Sequence, residues 1–451
     1  MFHSIWLGYL LYFLFHPLRK YPGPKFAALT NLCYLYNKAC GKEVAWFCEL
    51  HKKYGEVVRF APEGLSYISP QAWKDITGHQ LGGRPEFAKD MTRFYTPEQN
   101  GQHSIATELT AQDHNQTRKV FLNAFSEKAL KLQEPLIRKY VTKLKQNIDA
   151  TISGNPEISL NAVKLYNFTT FDVMGDLTFS EPLGMLDIGE YTPWVRGVFQ
   201  NIKTFTLLQI PLFYPVLRHL FMTFMPPSLR DEQKKHFLHL AERVDKRIQK
   251  GVDIGKLDIW KLVLENPKVQ LPLSKMHANA AVFMLAGTET IATLLSGLTY
   301  LLLVSPEKMD KLIVEIRALS EEELSFSILQ RLEYLNACIE EALRCYPPIP
   351  IGLPREVPIG GAAVCGKWVP GKLRDSGYNT DRKDVLQPFS YGPRNCIGRN
   401  LAYHEIRLII ATILWNYDLE LCLESNDWIH QKVYSVWDKP ELVIKFKLLD
   451  R

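Results

Sequence analysis

Apolar side chains recur every three or four residues through most of the chain between positions 112 and 345, which is the pattern of successive amphipathic α-helices. A shorter helical pattern covers residues 43 to 54. Strand-like pieces around residues 57–60 and 66–68 are set apart by glycine and proline. Another small β portion is predicted after residue 350. The chain is therefore predicted to be mainly α with small β portions.

Two stretches are more apolar than the rest. Residues 207–225 contain Pro211 and Pro215, which prevent one continuous helix. This segment is either an ordinary core connection or a surface that dips into a membrane beside a substrate entrance. Residues 274–304 predict one long helix that a Ser-Pro pair ends. The glycine and polar side chains at its centre, residues 286–290, are unfavourable there and indicate a function.

The N-terminus carries a candidate targeting segment. Residues 5–15 are apolar, and three basic residues follow them by position 25. Since a membrane span takes about 20 apolar residues, the segment is a short anchor, an interfacial helix or a signal-peptide core. The basic residues and the lack of a small-residue cleavage site favour an anchor at residues 1–20, with the remainder in the cytosol. No linker or repeat follows the stiff Tyr-Pro-Gly-Pro hinge, so residues 21–451 are predicted to form one domain.

Composition excludes several classes of protein. The chain has 451 residues, 46% of them hydrophobic, which is enough for a large buried core. Its net charge of +6 includes no dense run of like charges, so no nucleic-acid track is predicted. Eight cysteines without a C-x-x-C pair or a Cys/His cluster indicate neither a disulfide scaffold nor a zinc site, and fit a reducing compartment.

One cysteine has unusual surroundings. It lies in the segment Phe389-Ser-Tyr-Gly-Pro-Arg-Asn-Cys-Ile-Gly398, ahead of a predicted amphipathic helix over residues 400–414. The positive end of a helix stabilises an anion, so the pKa of the Cys396 thiol is predicted to be lowered, as an iron ligand requires. Gly392 and Gly398 would let the backbone approach a flat cofactor, and Arg394 offers a cation for a carboxylate.

This segment resembles F-x-x-G-x-R-x-C-x-G, the haem-binding signature of the cytochrome P-450 family. The resemblance implies a P-450 fold, a single large domain enclosing haem b, with Cys396 as the iron ligand. Ala286-Gly-Thr-Glu-Thr290 resembles the family's distal helix, which implies that Ala286 and Gly287 leave room for dioxygen. Glu289 and Thr290 would then relay protons. The alternative for Thr290 is a hydrogen bond to the carbonyl four residues earlier.

Other residues match the family pattern less specifically. His114 and Arg118 lie one helical turn apart and, with Arg355, resemble the residues that bind the haem propionates. Glu341-x-x-Arg344 resembles the family's E-x-x-R element, which joins a further arginine in an ion-pair network behind the haem. Alone, such an i, i+3 pair is common on any helix.

The chain departs from the family between Arg344 and Cys396, where several tens of residues are missing. Trp368-Val-Pro-Gly371 runs directly into residues 372–380, so neither the usual strand nor the P-E-R-[FW] element is expected. Glu341 and Arg344 would then form an incomplete buried network. An internal deletion near residues 371–375 is predicted, either as a gene-model or splicing artefact or as a natural variant with impaired haem retention.

The resemblance is strongest to fungal microsomal enzymes of secondary metabolism, among them trichothecene hydroxylases. It implies a monomeric monooxygenase in the endoplasmic reticulum membrane, facing the cytosol, that oxidises an apolar terpenoid or polyketide with electrons from NADPH through a reductase. A haem-thiolate isomerase or dehydratase is the alternative among enzymes; the Glu289–Thr290 pair argues against it. Because of the gap, a non-catalytic haem- or lipid-binding product, or one that does not fold, remains the alternative outside enzymes.

Overall fold

The computed structural model describes residues 15–449, apart from residues 80–81, 84–85, 92–93, 225, 253–254, 266–270, 372–373 and 378–385. Its helices, in chain order, are α1 Leu32–Ala39, α2 Glu43–Tyr54, α3 Pro70–Ile76, α4 Ala111–Phe121, α5 Glu127–Gly154, α6 Ala162–Phe179, α7 Met185–Ile188, α8 Pro193–Leu208, α9 Pro215–Phe224, α10 Pro227–Gln249, α11 Ile259–Leu264, α12 Leu273–Leu303, α13 Pro306–Arg317, α14 Phe326–Leu329, α15 Glu333–Cys345 and α16 Arg399–Asn416.

The strands are short. In chain order they are β1 Val57–Ala61, β2 Gly64–Tyr67, β3 Ala88–Lys89, β4 Ser159–Asn161, β5 Arg355–Glu356, β6 Ala362–Val364, β7 Lys367–Val369, β8 Arg374–Gly377, β9 Tyr417–Leu421, β10 Val433–Tyr434, β11 Val436–Trp437 and β12 Val443–Leu448. The mainly α prediction with small β portions is confirmed, and α2 has the bounds that its sequence pattern indicated.

Helix α12 runs through the main hydrophobic core. It packs most extensively against α6 and also contacts α10, α13, α15 and α16. Among the described helices it alone is long and apolar enough to cross a membrane, but 67% of its most apolar window is buried inside the protein. A helix that is apolar on all sides is typical of the interior of a large fold, so α12 serves here as a core helix.

Five strands form the largest sheet, in the order β1-β2-β8-β5-β3. Strand β8 pairs parallel with β2 and antiparallel with β5. The expectation that the chain lacks a strand after Gly371 is therefore wrong. Residues 374–377 are extended and occupy the centre of this sheet, because β2 and β5 offer backbone partners on both sides.

Two small hairpins shape the surroundings of the sheet and of α12. Cys365 and Gly366 both have positive φ values, 48° and 72°, and connect β6 to β7 in the way that two-residue hairpin turns require. Ser435, with φ 66°, reverses the chain between β10 and β11. This second hairpin brings residues 434–439 beside α8 and α12.

The segment before β1 is tied to the domain. The Arg59 amide donates a hydrogen bond to the Pro22 carbonyl oxygen at 2.7 Å, and a Cβ atom on Gly23 would lie 2.1 Å from the Arg59 carbonyl oxygen. Leu18 is fully buried beside Tyr21 in a second core cluster. The predicted hinge thus packs against β1, and the globular part includes residues before Tyr21. Most of the predicted anchor, residues 1–14, lies outside the described residues.

Candidate functional site

The cysteine loop is held by backbone contacts ahead of α16. The Cys396 amide donates to the Phe389 carbonyl oxygen at 2.8 Å. Gly392 has φ 81°, and a Cβ atom there would lie 2.0 Å from the Thr77 carbonyl oxygen, so only glycine fits this turn. Gly398 caps α16, whose first residue is Arg399. The loop therefore presents Cys396 just before a helix N-terminus, as the sequence predicted.

The direction of the pKa shift of Cys396 differs from the expectation. Desolvation raises the pKa of its thiol, while a hydrogen bond from the Gly398 amide and the charges of Arg118 and Arg399 lower it. The side chain is nevertheless accessible. Accessibility and desolvation of the sulfur agree if it faces an internal space that is surrounded by protein atoms. The prediction of a lowered pKa is wrong for the chain alone, because desolvation outweighs the helix end and the cations; coordination of a metal would deprotonate the thiol.

Helix α12 reaches the same region through aromatic contacts. A Cβ atom on Gly398 would lie 3.9 Å from the ring of Phe125, and this ring packs against that of Phe283 on α12 at a centroid distance of 5.4 Å. One turn further along α12, Leu285 is 43% exposed and Ala286 is also exposed, although most of the helix is buried. The exposed face of α12 and the thiol thus belong to one part of the interior.

The polar residues of α12 point in different directions. Thr290 Oγ1 donates to the Ala286 carbonyl oxygen at 2.6 Å, which is the local hydrogen bond that the sequence left open as an alternative. Gly287 faces α6, since a Cβ atom there would lie 2.7 Å from Met174 Sδ. Its small size serves helix packing, and the expectation that it leaves room for dioxygen stays a prediction.

Glu289 is only 3% exposed and forms an ion pair with Lys439, a residue of the segment after β11. Thr293 Oγ1 also donates to its carboxylate, at 3.2 Å. Because successive residues of a helix are about 100° apart, Glu289 lies on a different face from Thr290. No local pattern in the sequence indicates Lys439, which is 150 residues away along the chain.

Three arginines and one lysine gather near the cysteine loop. Arg118 on α4 donates to the carbonyl oxygen and to Oδ1 of Asn395, at 2.7 and 2.8 Å. Arg394 pairs with Glu86 at 2.8 Å, and Arg355 on β5 donates to the Tyr95 hydroxyl at 2.6 Å. The predicted residues Arg118, Arg355 and Arg394 are thereby brought together.

The fourth basic residue, Lys89, was missed by the sequence analysis. It lies directly opposite Arg355 in the β3–β5 pair, is 5% exposed and donates to the Ala106 carbonyl oxygen at 2.6 Å. Burial, reinforced by Arg394 and Arg355, lowers the pKa of Lys89 to about 6. A lone lysine in a loop-like segment carries no sequence signal, so only the pairing of β3 with β5 reveals it.

His114 completes this cluster. Burial, followed by the charges of Arg394, Lys89 and Arg118, lowers the pKa of His114 to about 4. Its Nδ1 atom is buried and has no hydrogen-bond partner among the described residues. The ring is therefore neutral at pH 7 and offers one unused polar atom toward the cations.

The cluster fits a ligand with two carboxylates. Among the described residues, Arg118 and Arg355 form no ion pair, Arg394 pairs with Glu86, and Glu108 is already paired with Lys275. Buried cations without partners are unfavourable, and propionate groups would compensate them. A thiol at a helix N-terminus beside such a cluster is the donor set that haem b requires, so the residues present fit this group.

The E-x-x-R pair does not lie in a buried network. Arg344 Nε and Nη2 donate to the two carboxylate oxygens of Glu341 at 2.8 and 2.7 Å, but the side chains are 45% and 59% exposed, respectively. The expectation of an incomplete buried network is therefore wrong. In this chain the pair is solvated, and solvation removes most of the cost that burial would bring.

Comparison with known proteins agrees with this geometry. The family model "Cytochrome P-450" matches residues 22–360 and 367–446. Cytochrome P-450 monooxygenase FUM2 of Gibberella moniliformis is 45% identical, over 96% of this chain and 98% of the relative. Cytochrome P-450 monooxygenases efuB of Hormonema carpetanum and AMT3 of Alternaria alternata are 44% and 42% identical, over 97% and 96% of this chain and 93% and 94% of the relatives. With its cysteine loop, distal helix and cation cluster, the chain belongs to the cytochrome P-450 family of fungal monooxygenases.

Proposed function

We propose that this protein, loaded with haem b through Cys396, inserts one oxygen atom from dioxygen into an apolar secondary metabolite, a terpenoid or a polyketide. The observation that carries the proposal is the accessible thiol at the N-terminus of α16 beside Lys89 and three arginines, of which Arg394 alone has a carboxylate partner among the described residues. Haem with a thiolate ligand supplies the activation of dioxygen when it is bound. The printed names of the relatives, all monooxygenases, support the same reaction class.

The chain's own residues would bind and position the reactants. The Gly398 amide and Arg118 stabilise negative charge on Cys396. Arg118, Arg355, Arg394, Lys89 and His114 would hold the two propionates, because each is buried or half-buried beside the loop. Thr290 would leave the Ala286 carbonyl oxygen and turn its hydroxyl to a water molecule on the exposed face of α12, and Glu289 would exchange protons with that water from the neighbouring helix face.

The carbonyl complex of the reduced protein tests haem ligation. Reduced, haem-loaded protein should give the Soret band typical of thiolate ligation, and Cys396→Ala should lose it, since no other group replaces the sulfur. Cys338→Ala is the matched control, because this half-buried thiol lies on α15 and its pKa is raised by burial. Folded protein that takes up no haem, or that keeps the band in Cys396→Ala, would contradict the proposal.

The gap between Arg344 and Cys396 leaves a second outcome open, a haem-binding product with impaired activity. Two observations support the loss of coding sequence there. Glu341 and Arg344 are solvated. The alignment with the Gibberella relative runs over 464 positions, more than the 451 residues of the chain.

Membrane attachment in the endoplasmic reticulum, with an NADPH-dependent reductase as partner and the domain facing the cytosol, is part of the same proposal. Helix α9 supports it with four large apolar side chains on its surface. Val216 and Phe224 are 71% and 75% exposed, and Leu217 and Leu220 nearly half exposed. Such a patch is typical of a surface that contacts lipid, which favours the second interpretation of residues 207–225.

A further inference from the structure

A cavity of about 290 Å³ lies between α6, α8, α12 and the β10–β11 hairpin. Glu289 lines it, whereas Cys396, Ala286 and Thr290 do not. Apart from Glu289, the cavity shares none of these residues with the candidate haem site, and its volume is at the lower end of the range for small-molecule sites.

Two buried acceptors in the cavity lack donors. Asn167, which is 2% exposed, donates through Nδ2 to the Tyr191 hydroxyl at 2.8 Å, but its Oδ1 atom receives no hydrogen bond from any described residue. Glu289 accepts from Lys439 and Thr293 through Oε1, and its Oε2 atom likewise has no donor in the described part of the chain. Buried polar atoms are normally paired, so both oxygens require a donor in the cavity.

The donor is expected to be neutral. The Lys439 ammonium already compensates the charge of Glu289, and both side chains are about 5% exposed or less. A second cation at Oε2 would be repelled by Lys439 at short range in a region of low dielectric constant. A hydroxyl group donates a hydrogen bond without this repulsion.

The outer part of the cavity is cationic. Arg196 on α8 is exposed and forms no ion pair with the described residues. Lys203 approaches Asp438 only to 3.9 Å, with both side chains 51% exposed. An unpaired guanidinium at the mouth of a cavity favours a carboxylate, which it can bind through two parallel hydrogen bonds.

Aromatic side chains form the walls between these two ends. The Trp437 ring stacks on that of Tyr346 at a centroid distance of 4.4 Å, and its Nε1 donates to the Pro347 carbonyl oxygen at 2.7 Å, so this wall is fixed. Phe199 on α8 belongs to the same lining. Rigid rings suit a flat apolar body.

We propose that this cavity binds a small apolar hydroxy acid, whose hydroxyl group donates to Asn167 Oδ1 and accepts from a water molecule that donates to Glu289 Oε2, with its carboxylate at Arg196. The ligand class follows from the three parts of the lining: unpaired acceptors inside, aromatic walls and a free cation at the mouth. The site does not depend on haem or on the proposed reaction, and its occupancy can be measured by binding alone.

Isothermal titration of the haem-loaded protein with three probes tests this site. The probe 3-(4-hydroxyphenyl)propionate should bind about fivefold or more tightly than 3-phenylpropionate, which lacks the hydroxyl, and than 4-ethylphenol, which lacks the carboxylate. Arg196→Gln should abolish the preference for the carboxylate and keep that for the hydroxyl. Asn167→Leu should do the reverse. Arg331→Gln, an exposed arginine between α14 and α15, is the matched control and should change neither.

Three results would overturn the proposal. The first is no heat of binding at millimolar concentration of the hydroxy acid. The second is equal affinity for the three probes, which would indicate a merely hydrated cavity. The third is unchanged affinity in Arg196→Gln, which would place the probe elsewhere, including the haem site. If Asn167→Leu does not fold, as thermal unfolding would reveal, the exposed Arg196 variant alone decides.

Discussion

Thr290 makes the local hydrogen bond of a mid-helix threonine, yet it occupies the exposed face of α12. Its hydroxyl can therefore exchange the Ala286 carbonyl oxygen for a water molecule without any change in the helix. Glu289 differs from it because its carboxylate is fixed by Lys439 and Thr293 on another face. At the residue scale, the Thr290 hydroxyl can thus change its hydrogen-bond partner, whereas the Glu289 carboxylate is held in place by two partners.

Removal of the Thr290 hydroxyl should uncouple electron use from product formation. In Thr290→Ala, substrate and haem binding should persist, while product formed per NADPH falls about tenfold and peroxide rises, because proton delivery loses its donor. Thr288→Ala is the control, since Thr288 makes the same type of bond, to the Met284 carbonyl oxygen at 2.7 Å, on a buried face. Unchanged yield per NADPH in Thr290→Ala would refute the relay.

Lys89 should make the stability of the haem-free protein depend on pH. Its pKa is about 6 in the folded chain against an ordinary 10.5, so between these values the unfolded chain binds a proton that the folded chain does not. Stability then rises with pH across this window, by up to about 1.4 kcal/mol per unit, and is lowest below pH 6.

Urea unfolding of haem-free protein between pH 6.5 and 9 measures this slope. Lys89→Met should flatten it, whereas Lys128→Met, at an exposed position on α5, should keep it. An identical slope in Lys89→Met would mean that another group titrates in this window.

At the scale of elements, the conformation of the cysteine loop depends more on Gly392 than on Gly398. The backbone of residues 77–78 after α3 closes over Gly392, which has a positive φ, whereas Gly398 has an ordinary conformation and its nearest neighbours would lie 3.9 and 4.0 Å from an added Cβ atom. The contact between α3 and the loop, and not the approach of a cofactor alone, explains the glycine at position 392.

Gly392→Ala should destabilise the folded protein by about 2 kcal/mol or more, because the added Cβ atom meets backbone that cannot move aside and the turn is strained. Gly398→Ala should change the free energy of unfolding by about 0.5 kcal/mol or less. Urea unfolding monitored by circular dichroism compares the two variants. Equal losses would show that α3 does not confine the loop.

At the scale of the whole molecule, two observations bear on the gap between Arg344 and Cys396. The Glu341–Arg344 pair is solvated, and β8 is extended. Strand β8 lies between β2 and β5 in the five-stranded sheet, so the sheet is continuous at this point. The Glu341–Arg344 ion pair of α15, however, is about half exposed. If coding sequence is missing near residues 371–375, we expect its loss to affect the surface at this ion pair and not the strand order of the sheet.

Transcripts that span the codons of Gly371 to Asp375 should include a longer in-frame message that carries P-E-R-[FW]. Its product should retain haem longer than the 451-residue chain, because a third charged partner would complete and bury the ion-pair network. Reverse-transcription sequencing identifies the message, and transfer of haem to an apo-globin measures retention. If only the short message exists and its product retains haem and turns over substrate normally, our interpretation of the gap is wrong.

The sequence by itself determined the features that depend on neighbouring residues. The apolar pattern of residues 274–304 predicted the long helix α12. The prolines at 211 and 215 correctly indicated that the apolar stretch of residues 207–225 is divided. The glycine-punctuated loop and the following helix placed Cys396 at an N-terminus. In each case turn chemistry or helix periodicity acts over a few residues, which a sequence pattern records directly.

Only the tertiary structure decided which distant groups meet. The pairing of β3 with β5 put Lys89 beside Arg355, and the β10–β11 hairpin delivered Lys439 to Glu289 across 150 positions. Desolvation, which depends on all surrounding atoms, reversed the predicted pKa shift of Cys396, and solvent exposure of Glu341 and Arg344 removed the predicted buried network. Burial and long-range charge contacts are properties of the folded chain as a whole, so no local pattern encodes them.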